Sequence, residues 1–180
     1  MNRIQKAEVK LLLNYISEDP LGKLPKMIKL AEKLDRENLY ANQINVLRNI
    51  LPDENNVWHT FVEKLVQEVD IKLIKKFVEC FMVNANLDGY PRGRVIEEKY
   101  DCNVPWAILM DPTSACNLSC TGCWSAQYGS KYNLSYETLD SICRQGKELG
   151  IYFYIFSGGE PLLRKKDIIR LCEAHQDCYF

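Results

Sequence analysis

The 180-residue chain has no excess of charge of either sign, no long apolar run and only two histidines. Its 23 Lys and Arg residues nearly balance 24 Asp and Glu residues, which gives a formal net charge of -1 at pH 7. The basic residues are scattered among acidic ones, so the sequence shows no electrostatic footprint for nucleic acid or an anionic membrane. The charge pattern favours a small or neutral partner. No stretch of about 18 apolar residues occurs, which argues against a membrane span.

The first twenty residues place apolar side chains among charged ones and never form the continuous apolar core of a signal peptide. We therefore expect a cytoplasmic protein in a reducing compartment. In that setting a disulfide framework built from the eight cysteines is not expected. They are better interpreted as metal ligands, catalytic thiols or small buried hydrophobes, and their spacing has to decide which.

The pattern of apolar residues changes along the chain and predicts a helical part followed by an α/β part. Residues 1–88 have helical periodicity broken by prolines, which predicts an all-helical N-terminal domain. A Gly/Pro-rich cluster follows and predicts a linker over residues 89–104. Residues 105–180 then alternate strand, loop, helix, strand, loop, helix and strand, which is typical of βαβ units and a parallel sheet, open or barrelled. Since a complete barrel needs roughly 250 residues, this part of the chain is expected to be truncated.

Three cysteines lie close together in the loop after the first predicted strand, in the sequence Cys116-Asn-Leu-Ser-Cys120-Thr-Gly-Cys123. A structural zinc site normally has four ligands, and neither Cys102 nor Cys143 lies at a common zinc spacing from this group. Ferredoxin spacings differ as well. The pattern suits a four-iron cluster with three cysteine ligands and one iron open to a small molecule. Zinc binding and plain buried thiols remain the alternatives at this point.

This cysteine pattern resembles the CxxxCxxC signature of the radical S-adenosylmethionine (radical SAM) superfamily. The resemblance implies that Cys116, Cys120 and Cys123 hold a [4Fe-4S] cluster whose open iron binds S-adenosylmethionine (SAM). Reductive cleavage of SAM would then yield a 5'-deoxyadenosyl radical that abstracts hydrogen from a substrate, a small molecule or peptide of unknown identity. It also implies an electron donor such as a flavodoxin or ferredoxin. The fold implied is the opening part of a TIM-like radical SAM barrel.

A second motif, Ser157-Gly158-Gly159-Glu160-Pro161, follows the second predicted strand and is similar to the GGEP element of the same family. By that resemblance Ser157, Gly158, Gly159 and Glu160 contact SAM, with Glu160 near its ammonium group. The competing interpretation is an ordinary strand-to-helix turn in which Glu160 favours a helix start.

The cysteine motif departs from the family pattern at Gly122, where an aromatic residue is common. Its backbone carbonyl can still face the adenine amino group, whereas the residue that stacks on adenine is unassigned, with Trp124 a candidate. Catalytic side chains are unknown.

The other cysteines, Cys80, Cys102, Cys143, Cys172 and Cys178, are interpreted as small core residues. Two further functions remain open beside the radical SAM enzyme. One is an iron-sulfur electron-transfer or metal-binding module without SAM chemistry. The other is an inactive fragment of the enzyme, because a partial barrel leaves a sheet edge unpaired.

Overall fold

The computed structural model describes residues 7, 11, 14–15, 22–35 and 38–180, with the side chains at 126 and 127 excepted. The chain divides into two compact units, Met1–Glu79 and Cys80–Phe180. Within the described ranges, no helix is both long enough and apolar enough to cross a membrane. The helical periodicity upstream of residue 22 falls largely outside the described residues.

The first unit is helical. Proline stands in the first turn of the helix Leu24–Leu34, where a backbone N–H would have no intrahelical acceptor anyway. The side chains of Asn56 and Asp70 accept hydrogen bonds from the backbone at the starts of the third and fourth helices. Leu34, Ile44 and Leu51 are its buried apolar residues among those described. The bounds are α1 Leu24–Leu34, α2 Ala41–Ile50, α3 Val57–Glu68 and α4 Ile71–Phe77.

A π-helix spans Val78–Gly89 and is followed by helix α5, Tyr90–Tyr100. The Gly/Pro cluster predicted a linker over residues 89–104, and most of this stretch is helix instead. Proline lies in the first turn of α5, where it starts a helix rather than breaking one. A Cβ atom on Gly89 would lie 2.0 Å from the carbonyl oxygen of Gly150, so this glycine marks close backbone packing. The assignment of residues 1–88 and 105–180 to separate domains stays a prediction.

The α/β part follows the predicted order. Strand β1, Ala107–Met110, pairs in parallel with β2, Phe153–Phe156, and Ala107 lies opposite Phe153. Helix α6, Tyr136–Glu148, connects the two strands, and the side chain of Ser135 accepts from the Thr138 amide as its N-cap. Helix α7, Lys165–Ala174, follows β2. After it, Tyr179 forms a parallel bridge with Phe153, in the predicted position of a third strand.

One face of the sheet carries the core of the second unit. Met110 and Tyr154 point to the helical side and are buried together with side chains from α6 and α7, namely Leu139, Cys143 and Leu171. Nε2 of the buried His175 lies 2.9 Å from Oδ1 of Asp140 on α6. On the opposite face the register partners Leu109 and Ile155 are 60% and 43% exposed. At Phe153 the ring of Phe81 packs against this same face at 5.2 Å, so among the described residues it is the end near Leu109 and Ile155 that is open.

Candidate functional site

The cysteine loop begins with a short segment, residues 112–115, which we call the loop base. On one side it pairs with residues 132–134: Ser114 N donates to the Tyr132 carbonyl at 2.8 Å and Leu134 N donates to the Pro112 carbonyl at 3.0 Å. The Thr113 hydroxyl donates to Asn133 Oδ1 at 2.6 Å and accepts from Ala115 N at 3.0 Å. Thr113 is 1% exposed, so these hydrogen bonds lock the loop base in place.

The Ser157–Glu160 segment pairs with the other side of the loop base. Gly159 N donates to the Thr113 carbonyl at 3.0 Å, and Glu160 N donates to the Ala115 carbonyl at 2.8 Å. A Cβ on Gly159 would lie 2.1 Å from the Ala115 carbonyl oxygen, a distance that no side chain tolerates. The two sequence motifs are therefore joined by backbone hydrogen bonds, and the second glycine is required by the loop base itself.

The three cysteine side chains lie in residues 116–123, which we call the loop tip. Cys116 and Cys120 are exposed, Cys123 is partly buried, and none is in a disulfide. Leu118 N donates to Cys116 Sγ at 3.4 Å, and Cys123 N donates to the Cys120 carbonyl at 3.3 Å. Over the described residues, no three Cys, His, Asp or Glu side chains are gathered in a metal-binding arrangement. The tip thus holds three accessible thiols on one short segment without bringing them together.

The remaining five cysteines differ in burial: three are buried, Cys172 is partly buried and Cys102 is exposed. Cys80, Cys143 and Cys178 are buried, as predicted for small core residues. Burial, followed by the charge of Asp140, raises the pKa of the Cys143 thiol to about 12, and burial chiefly raises the pKa of Cys178 as well. Such thiols stay protonated at neutral pH and are poor metal ligands. The core interpretation of Cys102 is wrong, because its side chain is exposed after the end of α5.

An open cavity of about 450 Å³ lies beside the loop base, at the carboxyl ends of both strands. Asp111 and Gly158 represent the two strand ends, and Trp124, Tyr128 and Tyr132 supply aromatic rings. The rings of Trp124 and Tyr128 meet edge to face at 6.1 Å, and those of Tyr128 and Tyr132 at 6.3 Å. Its volume falls in the range of small-molecule sites. Parallel α/β folds place their ligands at this edge of the sheet.

Comparison with known families decides the identity of this region. Residues 110–178 match the model of the Radical SAM superfamily. These residues belong to the radical SAM superfamily. The matched range runs from the last residue of β1 to the residue before Tyr179, so it contains both motifs and the two helices of the α/β part.

One curated relative is named "Probable GTP 3',8-cyclase" and comes from Methanothermobacter marburgensis (strain ATCC BAA-927 / DSM 2133 / JCM 14651 / NBRC 100331 / OCM 82 / Marburg). It is 39% identical over 68 residues, which are 37% of this chain and 22% of the relative. The chain thus matches only about a fifth of that protein's length. No solved structure matches the chain.

Radical SAM proteins generally bind a [4Fe-4S] cluster and SAM, and the donor set of this loop fits such a cluster. Thiolate sulfur is the ligand that iron-sulfur clusters use, and three accessible cysteines on eight residues can reach one compact centre. Gly122 has φ +74 in the turn between Cys120 and Cys123, a conformation that favours glycine. The five cysteines outside the tip are spread along the chain from Cys80 to Cys178.

Glu160 lies at the start of a short helix, as the interpretation of its motif as a strand-to-helix turn predicts. Its Oε1 accepts a hydrogen bond from Leu162 N at 2.9 Å and so caps the 3-10 helix Pro161–Arg164. No described residue contributes a hydrogen bond to Oε2. The predicted contact between Glu160 and SAM therefore stays a prediction, and capping by one oxygen leaves the other for it.

Sequence reasoning missed Asp111, Thr113 and Asn133. Thr113 and Asn133 lock the loop base through their side chains, while Asp111 lies where β1 opens into the cavity. Asp111 could have been identified from its position, because polar residues directly after a strand of a parallel sheet lie at the edge where ligands bind. No pattern in the sequence links Thr113 with Asn133, because they are twenty residues apart.

Proposed function

We propose that this chain carries the cluster-binding and SAM-binding part of a radical SAM enzyme. Cys116, Cys120 and Cys123 would hold a [4Fe-4S] cluster, and the Ser157–Glu160 segment would contact SAM. When bound, the cluster supplies the electron that cleaves SAM to a 5'-deoxyadenosyl radical, which then abstracts hydrogen from the substrate. The observation that carries the proposal is the backbone pairing of Gly159 and Glu160 with the loop base.

This backbone pairing fixes the positions of the two motifs relative to each other. The loop base sets the starting direction of the tip, so the thiols project from the carboxyl edge of the sheet. The hydrogen bonds of Gly159 and Glu160 keep the second motif within one strand spacing, about 5 Å, of this base. Two ligands bound by the two motifs would therefore be neighbours, as electron transfer between them requires.

The same proposal extends to the fold. We propose that the parallel sheet is the opening part of a TIM-like barrel whose interior is the face of Leu109 and Ile155. In support, both side chains are exposed although sheets of this type are normally covered on both faces. The bridge between Tyr179 and Phe153 extends the parallel order by a further position.

The proposal also covers the electron donor and the class of substrate. A flavodoxin or ferredoxin would supply the electron, in a cytoplasmic, reducing setting, and the substrate is a small molecule or peptide. The GTP cyclisation in the name of the archaeal relative is not carried over, because the matched segment is 22% of that protein.

The test is an electron paramagnetic resonance titration of the anaerobically reconstituted, reduced protein with SAM. Coordination of the amino and carboxylate groups to the open iron should change the spectrum of the cluster. Cys116→Ala serves as the control without a complete ligand set. Full iron content with an unchanged spectrum at saturating SAM would instead indicate an electron carrier.

A further inference from the structure

Arg164 connects the end of the second motif to the start of the cysteine loop. It is the last residue of the 3-10 helix Pro161–Arg164, which directly follows the Ser157–Glu160 segment. Its Nη1 donates a hydrogen bond to the Pro112 carbonyl at 3.3 Å, 52 residues away in the sequence. Pro112 is the first residue of the loop base, and its side chain is fully buried. A charged side chain is thus bound to the backbone at the point where the cysteine loop begins.

The short helix holds the loop base at both of its ends. Where the helix starts, Glu160 N donates to the carbonyl of Ala115, the last residue of the loop base, at 2.8 Å. Where the helix stops, Arg164 donates to the carbonyl of Pro112, the first residue of the loop base. Without the Arg164 contact, this helix would hold the loop base at the Ala115 end alone.

Asp167 fixes the guanidinium group in this position. Its Oδ2 accepts from Nε of Arg164 at 2.8 Å and lies 2.6 Å from Nη2. Asp167 is in the first turn of α7, where the helix dipole favours a carboxylate. The two side chains are 23% and 29% exposed, and partly buried ion pairs are screened less than surface pairs. Because the guanidinium is planar, an Asp167 that holds Nε and Nη2 also sets the direction of Nη1 toward Pro112.

We propose that Arg164, oriented by Asp167, is a positioning residue for the cysteine loop. It holds the loop base against the second motif, so that ligands bound by the two motifs stay adjacent. Arg164 and Asp167 are not among the described residues that line the cavity, so Arg164 acts through the backbone of Pro112. The holding of the loop base stands on these hydrogen bonds alone, whereas its consequence for SAM binding rests on the proposed function.

Amide hydrogen exchange of the iron-free full chain tests the positioning without any cofactor. The reporters are the amide of Leu134, which shares the Pro112 carbonyl with Arg164, and the amide of Glu160. Arg164→Ala should raise the exchange rates of both amides about tenfold, because a hydrogen bond from a charged group no longer restrains local opening of the loop base.

A reporter elsewhere in the same unit separates positioning from general stability. The Tyr154 amide donates to the Tyr179 carbonyl at 2.9 Å, within the sheet order, and should exchange at the wild-type rate in Arg164→Ala. Lys166→Ala is the matched control variant. It removes an exposed positive charge two residues from Arg164 and should change neither set of amides.

Two milder variants keep the test decisive if Arg164→Ala does not fold. Asp167→Asn leaves the Pro112 contact possible but weakens the hold on the guanidinium, so the same reporters should exchange faster by a smaller factor. Arg164→Lys keeps the charge without the planar fork and should behave like the alanine variant. Unchanged exchange at the loop base in the variants that fold would overturn the proposal. So would an equal acceleration at Tyr154, which would indicate a general loss of stability.

The second measurement is the SAM titration of the reduced, iron-loaded protein. At equal iron content, Arg164→Ala should raise the SAM concentration for half of the spectral change about tenfold, because the two motifs no longer keep a fixed spacing. Faster exchange at the loop base together with an unchanged SAM midpoint would overturn the positioning role. If the wild-type spectrum did not respond to SAM at all, the proposed function would fail, while the exchange rates would still decide whether Arg164 holds the loop base.

Discussion

The loop base and the loop tip are adjacent in sequence and built in opposite ways. Residues 112–115 are held on both sides by backbone hydrogen bonds, and Thr113 is buried between them. Residues 116–123 are mostly exposed and make two local hydrogen bonds, one of them to a thiol. The comparison shows that hydrogen bonds and burial fix the position at which the loop starts, whereas they do not fix the positions of the thiols. The proposed cluster would have to gather the three thiols when it binds, which would couple metal binding to ordering of the tip.

The largest effect is expected at the tip. Cys116→Ala, Cys120→Ala or Cys123→Ala should each abolish the binding of about four irons per chain, because an underligated cluster is lost. The melting temperature of the iron-free protein should stay the same, since these side chains pack against little. Iron analysis after anaerobic reconstitution measures the effect, with Cys172→Ala as control. If a tip variant kept its iron and the control lost it, the ligand assignment would be wrong.

At the base, one methyl group should be enough to disturb the structure. Gly159→Ala places a Cβ 2.1 Å from the Ala115 carbonyl oxygen, so the two segments must separate. We expect a loss of about 1–3 kcal/mol in the free energy of unfolding, together with reduced iron binding. Urea denaturation gives the first quantity and iron analysis the second.

Gly93→Ala is the matched control for this substitution. Its Cβ would meet its nearest neighbours at 3.5 Å, an ordinary contact, and alanine favours the helix interior by up to about 1 kcal/mol. If both substitutions lowered the free energy of unfolding equally, the close approach of Gly159 to the loop base would not be the cause of the loss.

Glu160 tests whether the second motif does more than hold the base. Glu160→Gln retains an oxygen that can accept from Leu162 N, so the helix cap and the iron content should persist. If Glu160 receives the SAM ammonium group, the affinity for SAM should fall about tenfold to a hundredfold. Calorimetry with parallel iron analysis measures both. Unchanged affinity with an intact cluster would remove Glu160 from the site and leave it as a cap.

The buried thiol of Cys143 should make the stability of the fold depend on alkaline pH. Cys143 has an ordinary pKa of 9.0 in the unfolded chain and about 12 in the folded one. Between these values the unfolded chain releases a proton that the folded chain keeps, so stability is full below pH 9 and falls as the pH rises. Cys143→Ala should flatten this decline by about 1.4 kcal/mol per pH unit. Urea denaturation from pH 8 upward tests it, and a slope unchanged by Cys143→Ala would contradict it.

The elements that the sequence predicted well have their cause in local patterns. Apolar runs of strand length and the Ser135 cap identified β1, β2 and α6, and the spacing of the cysteines identified the family. Gly89 contributed to the prediction of a linker over residues 89–104, whereas the structure uses it for a close backbone approach. Glycine suits both roles, so its presence does not distinguish them. Asp111, Thr113 and Asn133 escaped because their roles depend on which segments meet in space. Cys102 was misassigned because no apolar periodicity surrounds it.

The position of Trp124 gives the loop a built-in optical reporter. It follows Cys123 directly, so its indole is attached one residue from a proposed iron ligand, and it is 63% exposed to solvent. Iron-sulfur chromophores absorb in the region where indole emits, so iron loading should quench Trp124 fluorescence by energy transfer. The chain has three tryptophans, and phenylalanine at positions 58 and 106 would leave Trp124 as the sole emitter. Assembly at the tip can then be followed in real time without an attached dye.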